Sequence, residues 1–140
     1  MDKWLKICQD GTMKYVDMPS SKEEPSYPFL DALYKELDCF SIEIVRVTCF
    51  DFMFPKGFEL IIIIDECGKL KEDWELRINS LCTLGYAPGV DCIVGDAVLG
   101  RRIGPDVVPL SQKEYDHFVQ CIEEIFSDFR LERGEENARV

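Results

Sequence analysis

Short apolar runs alternate with polar punctuation along the chain, and the spacing of the apolar positions changes character several times. Residues 3–8 and 12–18 are two such runs around Asp10-Gly11. Asp-Gly signals a hairpin because both central residues of a type I′ turn need positive φ, so an N-terminal β-hairpin is predicted. Met18 through Pro25, with Ser20, Ser21, Lys22, Glu23 and Glu24 between them, reads as a polar loop. From Ser26 the period becomes helical: Phe29, Leu30, Leu33, Tyr34 and Leu37 share one face, Pro28 suits a first turn, and the helix should end near Cys39. Residues 41–49 are β-branched and partly alternating, which predicts a strand.

Residues 50–57 pack Phe50, Phe52, Met53 and Phe54 ahead of Pro55 and Gly57. Such a segment either folds back on the core or exposes an apolar patch for a partner. Residues 58–64 are continuously apolar except Glu59, and a strand without alternation is covered on both faces. Asp65 to Lys69 turns the chain. Residues 70–84 mix a helical face (Leu70, Trp74, Ile78, Leu81, Cys82) with turn-prone Asn79 and Gly85, which predicts one short helix over 75–84. Residues 92–99 read as a second buried strand with Gly95 at a bulge or close approach, residues 100–105 as a turn, and Val107-Val108 as a further short strand. Ser111-Gln-Lys-Glu114 is a capping box, and the stripe Tyr115, Phe118, Val119, Ile122, Ile125, Phe126 and Phe129 makes a helix running to Phe129.

These elements predict an α+β fold: a single domain over residues 1–129, with a mixed or antiparallel sheet of about five strands, the hairpin, and two main helices packed on the sheet. The stripe of the last helix should lie across the strands near residues 60 and 95. Residues 130–140 are almost wholly charged or small and are expected to be a frayed tail. There is no internal repeat.

Composition narrows the class. At 140 residues, 46% apolar and 31% charged, the chain suits one folded core. Its net charge is −11, spread almost evenly: eight acids against five bases over residues 1–40, eleven against seven over 41–110, and eight against four over 111–140. A uniformly acidic surface repels phosphates and anionic lipids, so neither direct nucleic-acid binding nor membrane binding is expected. No apolar run reaches the roughly 20 residues of a membrane span, and charges interrupt the first six residues where a secretory leader needs continuous apolar ones. The seven cysteines lack disulfide or zinc spacing, which points to reduced core thiols and a cytoplasmic location.

Three stretches carry a resemblance: Ile61-Ile-Ile-Ile-Asp-Glu-Cys-Gly-Lys-Leu70, Ile93-Val-Gly-Asp-Ala-Val-Leu99 and Asp106-Val-Val-Pro-Leu-Ser-Gln-Lys-Glu114. Together they resemble the uncharacterised bacterial and phage family called domain of unknown function 3846, over about residues 30–125. Where that family would have glycines after the first helix, this chain has Asp38 and Cys39. The resemblance implies an accessory role in phages, plasmids and integrated mobile elements, and supplies no reaction.

Three functions compete. A non-catalytic interaction module, leading the list for want of a catalytic motif, would use Phe50, Phe52 and Phe54 as its patch and bind a protein partner or a second copy. A binder of small anions would use Arg101 and Arg102 on the turn at 100–104. A magnesium-dependent enzyme would need Asp65, Glu66 and Asp96 to converge as oxygen ligands. The simpler account of these charges is solvation at turns. The lone histidine, His117, belongs to no nucleophile motif, and no catalytic residue, resident metal or cofactor is expected.

Overall fold

A run such as Leu60–Ile64, apolar at every position, must be covered on both faces, and this requirement organises the molecule. The computed structural model describes residues 1–21 and 27–132. In chain order the elements are β1 (Asp2–Ile7), β2 (Thr12–Met18), α1 (Tyr27–Leu37), β3 (Ile42–Arg46), β4 (Glu59–Asp65), α2 (Ser80–Tyr86), β5 (Ala97–Ile103), β6 (Asp106–Val108), α3 (Gln112–Ile125) and β7 (Arg130–Leu131). Short 3₁₀ helices occupy Thr48–Met53, Gly68–Leu70 and Trp74–Arg77. The seven strands form one sheet in the order β3-β4-β5-β1-β2-β7, with β6 paired to β5. The β2–β7 pair is parallel and the other pairs are antiparallel.

The pleat of β4 divides its side chains between two cores. Leu60, Ile62 and Ile64 meet Tyr115, Phe118 and Ile122 of α3. Ile61 and Ile63 meet Trp4 of β1 and Phe29, Leu33 and Leu37 of α1. The α+β single domain is therefore a sheet with α1 on one face and α2 with α3 on the other, and α3 does lie across β4 and β5. The capping box also forms: Ser111 Oγ accepts from Glu114 N at 3.2 Å, and Glu114 Oε1 accepts from Ser111 N at 2.9 Å.

Several expectations are corrected. The sheet has seven strands, not about five, because β6 and the two-residue β7 also join it. Arg130 and Leu131 pair with Thr12 and Met13, so the expected tail begins as a strand. Glu132 N then donates to Met13 O at 2.6 Å. Residues 22–26 of the polar loop and 133–140 of the tail lie outside the described residues. The hairpin forms, but through a three-residue loop: Gly11 N donates to Cys8 O, and Gly11 takes φ +93°, so the left-handed residue follows the turn instead of lying inside a type I′ pair.

The 41–49 strand stops at Arg46, and Thr48–Met53 turns inward as a 3₁₀ helix. The short helix begins at Ser80, not 75, with Asn79 as its N-cap. α3 ends at Ile125, four residues short of Phe129. The largest correction concerns residues 92–105. β5 starts at Ala97 and continues through Gly100, Arg101 and Arg102, while the turn falls at Gly104-Pro105. Gly100 is required by packing: a Cβ there would lie 2.6 Å from Trp4 Cζ3 and 2.8 Å from Val108 O.

Candidate functional site at an open sheet edge

β3 combines apolar residues with a place at the end of the sheet. Its register against β4 pairs Ile42 with Asp65, Ile44 with Ile63 and Arg46 with Ile61. Glu66 N donates to Ser41 O at 3.1 Å and Val47 N to Leu60 O at 3.3 Å, so the odd-numbered residues point their backbone groups at β4. Alternation then turns the N–H and C=O groups of Ile42, Ile44 and Arg46 outward, where no strand pairs with them among the described residues.

On the α1 face this edge presents Ile42 and Ile44, followed by Arg46, whose guanidinium lies 2.9 Å from Asp51 Oδ2. Phe40 is 98% exposed, Ile44 is 38% exposed, and Ile42 is half-buried. Beside them runs a groove of about 240 Å³ lined chiefly by Phe29, Leu30, Ile42, Ile44, Ile63 and Val107. The other face is polar: exposed Glu43 borders a cleft of about 180 Å³ with Glu66, Lys69, Tyr86 and Asp91. Edge strands are commonly blunted by short length, charged side chains, proline or a bulge. β3 is five residues long and carries Glu43 and Arg46, but it has no proline and its pairing with β4 is unbroken.

The residues singled out in the sequence are placed differently. Phe50 is 3% exposed; it packs edge-on against Phe118 and lies where a Cβ on Gly85 would stand, 2.3 Å from its ring. Phe54 stacks on Phe58 with ring centres 4.3 Å apart. Only Phe52 remains exposed, so the expected three-residue patch does not exist: the segment folds back on the core.

Arg101 and Arg102 lie on a strand, so their side chains leave opposite faces of the sheet instead of lining one turn. The Arg101 guanidinium lies 3.8 Å from the Phe58 ring centre and 3.4 Å from Glu114 Oε2. Arg102 Nε faces Glu59 Oε2, its cross-strand neighbour, at 3.8 Å.

The three carboxylates also part. Asp65 Oδ1 accepts from Cys67 N at 2.9 Å and Oδ2 faces Lys71 Nζ at 3.4 Å. Glu66 accepts from the Ser41 hydroxyl. Asp96 accepts from Gln9 N at 2.9 Å and lies 3.6 Å from Lys6 Nζ, which also donates to Glu36 at 3.1 Å. Among the described residues no three His, Cys, Asp or Glu side chains are grouped to hold a metal ion. Burial would lower the Lys6 pKa, but the Glu36 hydrogen bond and the charges of Glu36 and Asp96 outweigh it and raise the ammonium above 10.5. This trio, a buried lysine between two half-exposed carboxylates, ties β1, α1 and the start of β5 together.

His117 Nε2 lies 2.7 Å from Met53 O and 3.7 Å from Cys121 Sγ. A carbonyl only accepts, so Nε2 carries the proton and cannot take one from the thiol. Burial also pushes the Cys121 pKa up, so the pair is not an activated nucleophile. Of the seven cysteines, only Cys39 and Cys82 are buried, fewer than expected of core thiols; all seven are free. No helix among the described residues is long and apolar enough to cross a membrane.

Sequence reasoning missed the edge because a strand's neighbours are not written in its own residues. The partial alternation of 41–46 was the available signal, and Phe40 just before it was the overlooked one. Comparisons of the chain with family models, with curated proteins and with solved structures found no match.

Proposed function

We propose that this protein is a non-catalytic interaction module that binds an extended segment of a protein partner along the free edge of β3. The observation that carries this reading is the outward row of backbone groups on Ile42, Ile44 and Arg46, which no strand pairs among the described residues, beside the exposed Phe40 and Ile44 side chains. Strand addition uses backbone hydrogen bonds for affinity and alternate side chains for specificity. The incoming strand suited to this edge is apolar on the face that meets Phe40, Ile42 and Ile44. On its other face it is polar or basic, to meet Glu43 and Glu66. The resemblance of residues 61–70, 93–99 and 106–114 to domain of unknown function 3846 supports an accessory role in a phage or mobile element.

An eight-residue peptide that alternates isoleucine with threonine and lysine, N-methylated at the polar positions so that only the edge bearing the isoleucines can pair, tests the reading. In an NMR titration it should shift the amides of residues 42, 44 and 46 and those lining the adjoining groove. Saturable binding elsewhere, or none at millimolar peptide, would refute it.

A further inference from the structure

We infer that the hairpin end of β1 and β2 holds a second binding site, a cleft in which Lys14 and Arg77 take the phosphate group of a small, polar phosphate monoester. The inference is independent of the edge-binding reading, because β4 and β5 separate these strands from β3.

Most cations of the described residues are accounted for. Lys6, Arg46, Lys69, Lys71, Arg101 and Arg102 are ion-paired. Lys3, Lys35, Lys56, Lys113 and Arg130 are exposed to solvent. Only Lys14 and Arg77 are half-buried and without an ion-pair partner among the described residues, and both line one cleft of about 400 Å³. Burial strips water from a cation, so a half-buried one lacking a counter-charge is stabilised by an anion that replaces that water.

Strand register gathers the charges. Lys14 stands directly across from Lys6 in the β1–β2 pair, so both side chains leave the same face. Like charges so placed repel, and only Lys6 is compensated, by Glu36 and Asp96. Arg77 reaches the cleft from the 3₁₀ helix before α2, anchored where its carbonyl accepts from Gly95 N at 2.7 Å. The carboxylates of the cleft are already engaged: Asp96 accepts from Gln9 N, and Asp10 from the Thr12 hydroxyl and N–H. Lys14 adds to those Thr12 hydrogen bonds in lowering the Asp10 pKa, but forms no ion pair with it. With Glu36 included, the charges of Lys6, Lys14 and Arg77 are balanced by those of Asp10 and Asp96. The site therefore selects an anion through its two uncommitted cations, not through an excess of charge.

The ligand's chemistry follows from these groups. Two positive charges are matched by a phosphate monoester, which carries about −1.5 to −2 near pH 7. Arg77 offers it a planar fork for two parallel hydrogen bonds, and Lys14 a point charge. The cleft volume lies in the range of about 300–1,000 Å³ usual for small-ligand sites. Gln9 and Asp10 make its rim polar, which suits a hydroxyl-bearing body on the phosphate and not a hydrocarbon one.

An NMR titration with inorganic phosphate and with glycerol phosphate at pH 7, at ionic strength held constant with sodium chloride, tests this. Both should bind saturably at millimolar concentration or below and shift the amides of residues 8–10, 14, 77 and 96. Lys14→Gln and Arg77→Gln should each weaken binding about tenfold, while Lys113→Gln, at an exposed lysine outside the cleft, should leave it unchanged. Lys14→Gln also relieves the repulsion with Lys6, so its urea midpoint should equal or exceed that of the wild type, which separates weakened binding from a folding defect. Shifts that never saturate, binding that survives both cleft substitutions, or binding that Lys113→Gln weakens equally would overturn the inference. Succinate should bind at least tenfold more weakly than phosphate; a dicarboxylate bound as tightly would overturn the assignment of a phosphate.

Discussion

Asn79 is fully buried, and its side chain joins three pieces of chain that are distant in sequence. Its Nδ2 donates to Ile7 O and Gly95 O, each at 3.0 Å, while Oδ1 accepts from Cys82 N at 3.1 Å and so caps α2. Asn79→Asp keeps the capping oxygen, since aspartate caps as well as asparagine. It turns the donor into a second carboxylate oxygen aimed at two carbonyls. Leaving two buried acceptors without a donor costs about 1–3 kcal/mol each, so a loss of roughly 3–5 kcal/mol is expected from a total of about 5–15 kcal/mol. At about 3 °C per kcal/mol this is a fall in Tm of about 10–15 °C at pH 7. The deficit should shrink as pH falls, because the protonated acid regains one donor. Its folded-state pKa is raised above the unfolded value, so stability recovers only as protons bind. Thermal and urea unfolding of both proteins between pH 7 and pH 4 measure this. If Asn79 served only as a cap, Asn79→Asp would remain within about 1 kcal/mol of wild type at pH 7, and that result would refute the three-way tie.

Other substitutions probe other elements. Gly100→Ala places a Cβ against Trp4 and the Val108 carbonyl; it should cost about 1–3 kcal/mol in urea unfolding and red-shift the emission of the buried Trp4, and an unchanged midpoint contradicts the packing role. Asp38, in the left-handed cap of α1 at φ +48°, is followed by Cys39, whose N–H bonds Tyr34 O at 3.0 Å. Asp38→Gly should raise stability by roughly 0.5–1 kcal/mol, and a fall in the urea midpoint would show that its side chain matters more than its backbone. Hydrogen bonds from the Thr12 hydroxyl and N–H hold the Asp10 carboxyl below its ordinary 3.8. Its contribution to stability is therefore present above pH 3.8 and lost as pH falls through the lower folded value. The gap in urea midpoint between wild type and Asp10→Asn should close between pH 6 and pH 2, and a gap independent of pH would argue against that hydrogen-bonded charge.

What the residues disclosed beforehand was what local chemistry decides. The apolar run at 60–64, the Ser111–Glu114 capping box and the Asp10-Gly11 hairpin need no information from distant parts of the chain. Features decided by distant contacts were misread. Gly100 resembled a turn because its reason, the Trp4 ring, lies about a hundred residues away, and with the turn misplaced Arg101 and Arg102 looked like neighbours in a loop. Asn79 resembled an irregular turn because the carbonyls it satisfies belong to Ile7 and Gly95. For Phe50 and its neighbours the sequence offered both a fold-back and an exposed patch, and the fold-back holds because Gly85 of another element makes the space that admits Phe50. The open edge was least legible of all, since whether a strand is central or outermost depends on strand order.

Edge binding depends on the backbone of β3, and amide hydrogen exchange reads that backbone directly. In dilute protein the amides of Ile42, Ile44 and Arg46 should exchange rapidly while those of Glu43, Val45 and Val47, bonded toward β4, are protected. When the peptide described above binds, the first three should become protected and the second three should change little. Protection of Ile42, Ile44 and Arg46 already complete in the protein alone, or rapid exchange there that persists with the peptide bound, would contradict an edge that is open and used.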